Sequence, residues 1–134
     1  MRLLVDTSVW SLAFRRDAPP TVPEVECLRE ALDGGELVFT TGLVLQELLQ
    51  GFSGPRARDA ILAHFEALPL LAPNREDHIG AATLRNACRR RGIQIGTIDA
   101  LLARLCIHHD LTLLTTDAEF EQVTKVEKLS LWRR

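Results

Sequence analysis

Short apolar runs alternate with segments of helical periodicity along almost the whole chain of 134 residues. The apolar runs, each the length of a strand, are residues 3–5, 37–39, 68–71, 111–114 and 126–132. Parallel strands need long crossover connections, which are usually helices, so this order predicts an α/β domain with a mainly parallel sheet of four or five strands. Pro69 cannot donate to a strand ladder, which places the third run at an end or an edge of the sheet.

The segments between these runs carry the start and stop signals of helices, and their apolar residues are spaced three and four apart. The predicted helices cover residues 8–16, 23–33, 43–51, 56–67, 75–91, a segment opening at 97 and a short segment after 116. Residues 18–20, Ala-Pro-Pro, are predicted to end the first helix. Asn74 and Thr97 are the predicted N-caps of two later helices, and residues 116–119 match the Thr-x-x-Glu capping box.

Composition excludes several classes of protein. Hydrophobic residues make up 46% of the chain and charged residues 25%, which is typical of a globular protein rather than a disordered one. The apolar start is too short for a signal peptide, and no run approaches the roughly 18 uncharged residues of a membrane span. Three cysteines without a C-x-x-C motif are typical of a reducing compartment. We therefore expect one domain over residues 1–134, located in the cytoplasm and without a membrane partner.

Four acidic residues fall where this topology would gather them. Asp6 directly follows the first strand, and Asp117 follows the 111–114 strand after two threonines. Asp99 lies in the first turn of its predicted helix, and Glu47 lies one turn into the helix after the second strand. Ligands of parallel sheets bind beyond the carboxyl ends of the strands. Carboxylates gathered there repel one another unless a cation binds, and they suit Mg²⁺ or Mn²⁺, which can promote phosphodiester hydrolysis.

Each of these acids also has a purely structural interpretation. Asp6 could cap the first helix, Asp99 and Asp117 could stabilise helix N-termini electrostatically, and Glu47 could be a solvated helix residue. Position alone leaves both interpretations open for all four.

The neighbouring polar residues are assigned to capping first. Glu119 is attributed to the capping box and is left out of the acidic set. The hydroxyls of Ser8 and Thr116 are interpreted as helix caps, with a supporting contact to the acids as the alternative.

Positive charge is concentrated at the end of one predicted helix, in Arg85, Arg89, Arg90 and Arg91. These arginines could stabilise the negative helix C-terminus, or they could form a track for an RNA backbone. Sixteen Lys and Arg against 18 Asp and Glu give a net charge of -2, which alone argues against a nucleic-acid binder. Without the four acids of the predicted metal site, however, the remainder of the chain carries +2.

Four segments together carry a family resemblance. Residues 5–10, Val-Asp-Thr-Ser-Val-Trp, resemble the opening of PIN-domain proteins, especially the VapC-type toxins of type II toxin–antitoxin (VapBC) systems. Residues 46–51, 84–103 and 113–120 resemble the Glu-bearing helix, the central segment and the last acidic motif of that family, in the same order. The resemblance implies a three-layer α/β/α sandwich.

The resemblance also implies an activity. The implied activity is metal-dependent endoribonucleolytic cleavage, with Mg²⁺ or Mn²⁺ as the cofactor. The implied catalytic and metal-binding acids are Asp6, Glu47, Asp99 and Asp117. Hydrolysis would leave a 5′-phosphate and a 3′-hydroxyl. The implied partners are a structured RNA substrate such as tRNA, a cognate VapB-type antitoxin that blocks the site, and a second copy of the chain in a homodimer.

Two other functions remain open on the sequence. A phosphoacceptor signalling domain also gathers acids around Mg²⁺, but it would favour adjacent acids after the first strand and a Lys after a late strand. Here Thr7 and Ser8 follow Asp6, and the only lysines are Lys125 and Lys128. The second alternative is a PIN-like RNA-binding module without catalytic activity.

Overall fold

Parallel strands lie at the centre of the computed structural model, which describes residues 1–15 and 22–134. The strands are β1 (Arg2–Val5), β2 (Leu37–Thr41), β3 (Leu70–Leu71) and β4 (Thr112–Leu114). They are ordered β3-β2-β1-β4, and every neighbouring pair is parallel. This arrangement confirms the predicted α/β class and parallel sheet, with β3 at the edge, as Pro69 indicates.

Helices connect the strands and flank the sheet. They are α1 (Thr7–Phe14), α2 (Pro23–Asp33), α3 (Gly42–Gly51), α4 (Pro55–Glu66), α5 (Arg75–Arg90), α6 (Thr97–His109) and α7 (Glu119–Val123). Helix α1 packs against α2 and α3, α3 packs against α4, and α5 packs against α6. The predicted end of the first helix at Arg16 and its stop at residues 18–20 lie outside the described residues. None of the described helices has both the length and the apolar surface that crossing a bilayer requires.

The two predicted N-caps have different outcomes. Asn74 caps α5 as predicted, because its side chain accepts a hydrogen bond from the Asp77 N–H and the Asp77 carboxylate accepts one from the Asn74 N–H. The prediction for Thr97 is wrong. Gly96 has the extended backbone of an N-cap residue, and Thr97 is already the first residue of α6. Because Gly96 has no side chain, no side-chain hydrogen bond caps this helix.

The predicted last strand at residues 126–132 is also wrong. In this segment only Leu131 forms a β-bridge, to Leu113. The Leu113 N–H donates to the Ser130 carbonyl, and the Trp132 N–H donates to the Leu113 carbonyl. Turns that follow α7 occupy the start of the predicted segment, where the Val126 N–H donates back to Val123. Too few residues are left in an extended conformation to build a fifth strand.

The core fixes how the ends of the two central strands align. Residues 3–5 of β1 are fully buried, as are Leu113 and Leu114 of β4, and burial of each such side chain stabilises the fold by about 1.5–3 kcal/mol. Val5 pairs with Leu114, and the Asp6 N–H donates a 2.9 Å hydrogen bond to the Leu114 carbonyl. The residues that follow β1 and β4 therefore emerge side by side at one edge of the sheet.

Candidate metal-binding site

Asp6 occupies the N-cap position of α1, but its side chain makes no capping hydrogen bond. Its Oδ2 atom instead accepts hydrogen bonds from Ser8 Oγ and Thr115 Oγ1, both at 2.8 Å. The residue is 6% exposed, so these two donors offset the cost of burying a carboxylate. Its other oxygen, Oδ1, has no hydrogen-bond partner within residues 1–15 and 22–134, which leaves that atom available to a ligand.

The two hydroxyls on Asp6 are themselves held by backbone groups. Ser8 Oγ accepts the Thr116 N–H at 3.1 Å, and Thr115 Oγ1 accepts the Asp117 N–H at 3.0 Å. Each hydroxyl therefore accepts from the backbone and donates to the carboxylate, so its proton direction is fixed. Of the two supporting residues predicted, Ser8 contacts Asp6 through its side chain, whereas Thr116 contributes its backbone N–H. Sequence reasoning missed Thr115, although its place directly after β4 was a usable signal.

Three carboxylates form a close cluster beside Asp6. One oxygen from each of Asp99, Asp117 and Glu119 lies within 4.8 Å of the others. Asp117 Oδ1 also accepts the Glu119 N–H at 2.9 Å, which holds the two residues next to each other. Two of the three are predicted site residues, and the third is Glu119, which sequence analysis had assigned elsewhere.

The capping box predicted at residues 116–119 does not form. The Thr116 N–H, which the Glu119 carboxylate would accept, is bound to Ser8 Oγ. Helix α7 begins only at Glu119, and its N-cap residue, Ala118, makes no side-chain cap. The Glu119 carboxylate lies instead beside those of Asp99 and Asp117.

The pKa of Asp99 is raised by burial and by the negative charges around it. Burial, and then the charges of its acidic neighbours, raise its pKa from 3.8 to about 6. In decreasing order of effect, the neighbours are Asp6, Asp117, Glu47 and Glu119. The structure therefore brings the four predicted acids, together with Glu119, within electrostatic range of one another. Such a cluster favours a bound cation or a retained proton.

Glu47 reaches this edge of the sheet from helix α3. Its Oε1 accepts a 2.8 Å hydrogen bond from the hydroxyl of Thr7, the first residue of α1. Because Thr7 follows Asp6 in the chain, the bond holds the Glu47 carboxylate beside the end of β1. The packing of α1 against α3 supports the same placement.

The donor set fits a hard divalent cation. Every charged group in the cluster is a carboxylate, the ligand type that Mg²⁺ and Mn²⁺ prefer. In the part of the chain that the structure describes, no Lys, Arg or His forms an ion pair with any of the five acids. The negative charge is therefore not neutralised by direct ion pairs with these side chains, as expected of residues that would hold a metal ion.

The predicted arginines divide into two pairs. Arg85 and Arg89 line an open groove of about 510 Å³, and Glu119 of the carboxylate cluster lines the same groove. Arg85 is anchored there, because its Nε donates a 2.9 Å hydrogen bond to the Ile95 carbonyl. Arg90 and Arg91 are absent from the groove lining, and the Arg91 guanidinium donates to a backbone carbonyl close to α7.

Comparison with known proteins agrees with the fold and with the sequence motifs. A model of the PIN domain family matches residues 3–126. Ribonuclease VapC11 of Mycobacterium tuberculosis is 28% identical over 131 residues, which is 95% of each chain. The crystal structure of VapBC2 from Rickettsia felis, bound to a DNA fragment from its promoter, matches with a TM-score of 0.77 at 20% identity and covers 98% of both chains.

A second solved structure is VapC20 of Mycobacterium tuberculosis, described as a Sarcin-Ricin loop cleaving toxin. It matches with a TM-score of 0.67 at 17% identity, over 89% of this chain and 92% of that one. At these identities, the two solved structures establish a shared fold. The family match extends over most of the sequence and confirms the resemblance seen in the motifs. The chain belongs to the PIN domain family.

Proposed function

We propose that this protein is a metal-dependent endoribonuclease that acts as the toxin of a toxin–antitoxin pair. The observation that carries the proposal is the carboxylate cluster at the ends of β1 and β4, whose acids form no ion pair with a described basic side chain. The similarity to ribonuclease VapC11 supports RNA as the substrate. The raised pKa of Asp99 supports the presence of a cation in the working enzyme.

We assign the roles within the site as follows. Asp6, Asp99 and Asp117 would hold Mg²⁺ or Mn²⁺, and Glu119 joins them because its carboxylate lies in the same cluster. The cation would stabilise negative charge on the phosphodiester. Glu47, oriented by Thr7, would position the attacking water or bind a second ion. Hydrolysis would break the bond between phosphorus and the 3′-oxygen, giving a 5′-phosphate and a 3′-hydroxyl.

The relatives support the substrate and partners that we propose. The VapC20 description supports a structured RNA, of which tRNA is our first candidate. The VapBC2 complex supports a VapB-type antitoxin as the partner. We propose that this antitoxin covers the site and that the assembled toxin is a homodimer. Expression of this chain alone should arrest growth, and co-expression of the neighbouring gene's product should relieve the arrest. Growth that continues despite accumulation of active, folded protein would contradict the toxin role.

The decisive experiment is an RNA cleavage assay with purified, antitoxin-free protein. Labelled tRNA and a ribosomal hairpin would be incubated with Mg²⁺, with Mn²⁺ or with EDTA. Asp6→Asn and Asp99→Asn should abolish cleavage while circular dichroism shows an intact fold, and Asp110→Asn, an exposed aspartate at the end of α6, is the matched control. Cleavage in EDTA would overturn metal dependence. Tight RNA binding without cleavage would favour the non-catalytic module.

A further inference from the structure

A groove opens directly beside the carboxylate cluster. It lies between the end of α5 and the loop that enters α6, and its volume of about 510 Å³ falls within the range of ordinary ligand sites. Its lining comprises Arg85, Arg89, Ile93, Gln94, Ile95, Gly96 and Glu119. Since Glu119 belongs to both the groove and the cluster, a ligand in the groove would border the metal-site acids.

The groove is positively charged on its α5 side. Arg85 and Arg89 are four residues apart on α5 and therefore lie on the same face of that helix. Within the described residues, neither guanidinium forms an ion pair with an acid. Arg85 Nε is held by the Ile95 carbonyl, so the orientation of its guanidinium is restricted before any ligand binds.

The chemistry of this pair selects a phosphate. A guanidinium offers parallel N–H groups that match phosphate oxygens, so arginine is preferred where a phosphodiester is held in a fixed orientation. The chain as a whole carries a net charge of -2, so attraction for RNA must come from a local concentration of positive charge. The groove provides such a concentration next to the acids. The same lining includes the apolar Ile93 and the amide of Gln94.

We propose that Arg85 and Arg89 bind the phosphodiester adjacent to the one that is cut, which makes the groove a nucleotide subsite of the RNA substrate. This inference rests on the proposed ribonuclease function and assigns part of its substrate specificity to α5. Arg90 and Arg91, although adjacent in sequence, lie outside the groove lining and take no part in the subsite.

The test compares Arg89→Ala with Arg90→Ala. Both residues are exposed arginines in the last turn of α5, but only Arg89 lines the groove. Affinity for a fluorescein-labelled single-stranded RNA would be measured by anisotropy across a salt series, in an Asp99→Asn background that does not cut the RNA. For Arg89→Ala we expect about tenfold weaker binding and a salt slope lower by about 0.7, the value for one lost phosphate contact. Arg90→Ala should match its parent.

A second measurement separates a substrate contact from a structural effect. In the cleaving enzyme, Arg89→Ala should raise KM for RNA while the affinity for Mg²⁺, measured by calorimetry, stays unchanged. Arg89→Lys keeps the charge but loses the guanidinium geometry, and it should weaken RNA binding without lowering Tm. If Arg89→Ala and Arg90→Ala had equal effects while the parent protein bound RNA tightly, the assignment of the groove as an RNA subsite would be wrong, and the proposed ribonuclease function would stand. Absence of RNA binding and cleavage by the wild-type protein would overturn the proposed function itself.

Discussion

The hydroxyl of Thr7 donates a 2.8 Å hydrogen bond to Oε1 of Glu47, forty residues further along the chain. The bond joins the first residue of α1 to the middle of α3, and Thr7 is also the residue after Asp6. One threonine thus relates the positions of two acids that the sequence places far apart. A hydrogen bond to a charged group contributes about 1.5–3 kcal/mol, which is enough to fix the orientation of the Glu47 carboxylate.

Replacement of Thr7 should lower activity through Glu47. Thr7→Val removes the hydroxyl but keeps the shape of the side chain, so we expect about a tenfold lower single-turnover cleavage rate, measured at a temperature at which circular dichroism shows the variant still folded. Thr7→Ser keeps the hydroxyl and should retain most of the activity. A Val variant that cleaves as fast as the wild-type protein would show that Glu47 needs no such support.

The raised pKa of Asp99 predicts how pH affects the metal-free protein. The folded state binds this proton more tightly than the unfolded chain, whose carboxyl has its ordinary pKa of 3.8. The carboxyl therefore contributes stability below about pH 4, and that contribution is lost as the pH rises through about 6. In EDTA, Asp99→Asn should melt above the wild-type protein at pH 7.5, and the difference should shrink at pH 4.5. A difference independent of pH would contradict this assignment.

Metal binding should show the opposite dependence on pH. The cation needs the ionised carboxylate, so the affinity for Mg²⁺ should fall as the pH is lowered through about 6. Calorimetric titrations between pH 5 and pH 8 would measure this fall, and the cleavage rate at a fixed, subsaturating concentration of Mg²⁺ should follow it. An affinity that is constant over this range would place Asp99 outside the coordination of the metal.

Glu119 should contribute to the metal site although its position suggested a helix cap. Glu119→Gln removes one of the negative charges that raise the pKa of Asp99, so the pH midpoint of Mg²⁺ binding should move down. Affinity for Mg²⁺ at pH 7.5 should fall about tenfold. The matched control is Glu121→Gln on the same short helix, because Glu121 pairs with Arg133 and is not part of the cluster. Indistinguishable titrations for the two variants would remove Glu119 from the site.

Asp77 should be important for stability rather than for activity. It is 1% exposed and accepts hydrogen bonds from the Asn74 N–H, from Arg104 Nε at 3.3 Å and from His108 Nδ1 at 2.6 Å. Burial acts to raise its pKa, but these donors outweigh burial, and the pKa is lowered. This stabilisation is therefore present at neutral pH and is lost as the pH falls through the lowered pKa, below 3.8.

Asp77→Ala would leave Arg104 and His108 without their carboxylate partner and remove half of the capping box of α5. We expect the free energy of unfolding in urea to fall by about 3 kcal/mol. The affinity for Mg²⁺, measured without urea where the variant is fully folded, should be unchanged. Glu76→Ala, at the exposed neighbouring position, is the control and should change stability by less than about 0.5 kcal/mol. A loss of metal affinity in folded Asp77→Ala would show that the network also positions the site.

The sequence was informative about the acids that follow strands and uninformative about their supporting contacts. Asp6 and Asp117 could be placed because a buried apolar run ends just before each of them. Glu119 was misassigned because the capping box depends on the Thr116 N–H, and that group is taken by Ser8, which lies 108 residues away in the chain. No local pattern encodes such a long-range contact. Long-range pairing also decides the segment 126–132, which was predicted to be a strand. It forms a single β-bridge to Leu113 and not a continuous strand pairing.

The hydrogen bond from Thr115 to Asp6 has a consequence for biosynthesis. These residues are 109 positions apart, so the carboxylate, which has Ser8 close by in the chain, acquires its second hydroxyl donor only after β4 has been made and has paired with β1. Contacts of such long sequence separation form late, because most of the entropy of loop closure must be lost first. A nascent chain that ends before β4 lacks Asp117 and Glu119 as well as this support. The proposed nuclease activity would therefore be absent from the nascent chain until β4 and the acids that follow it have been synthesised and have folded against β1.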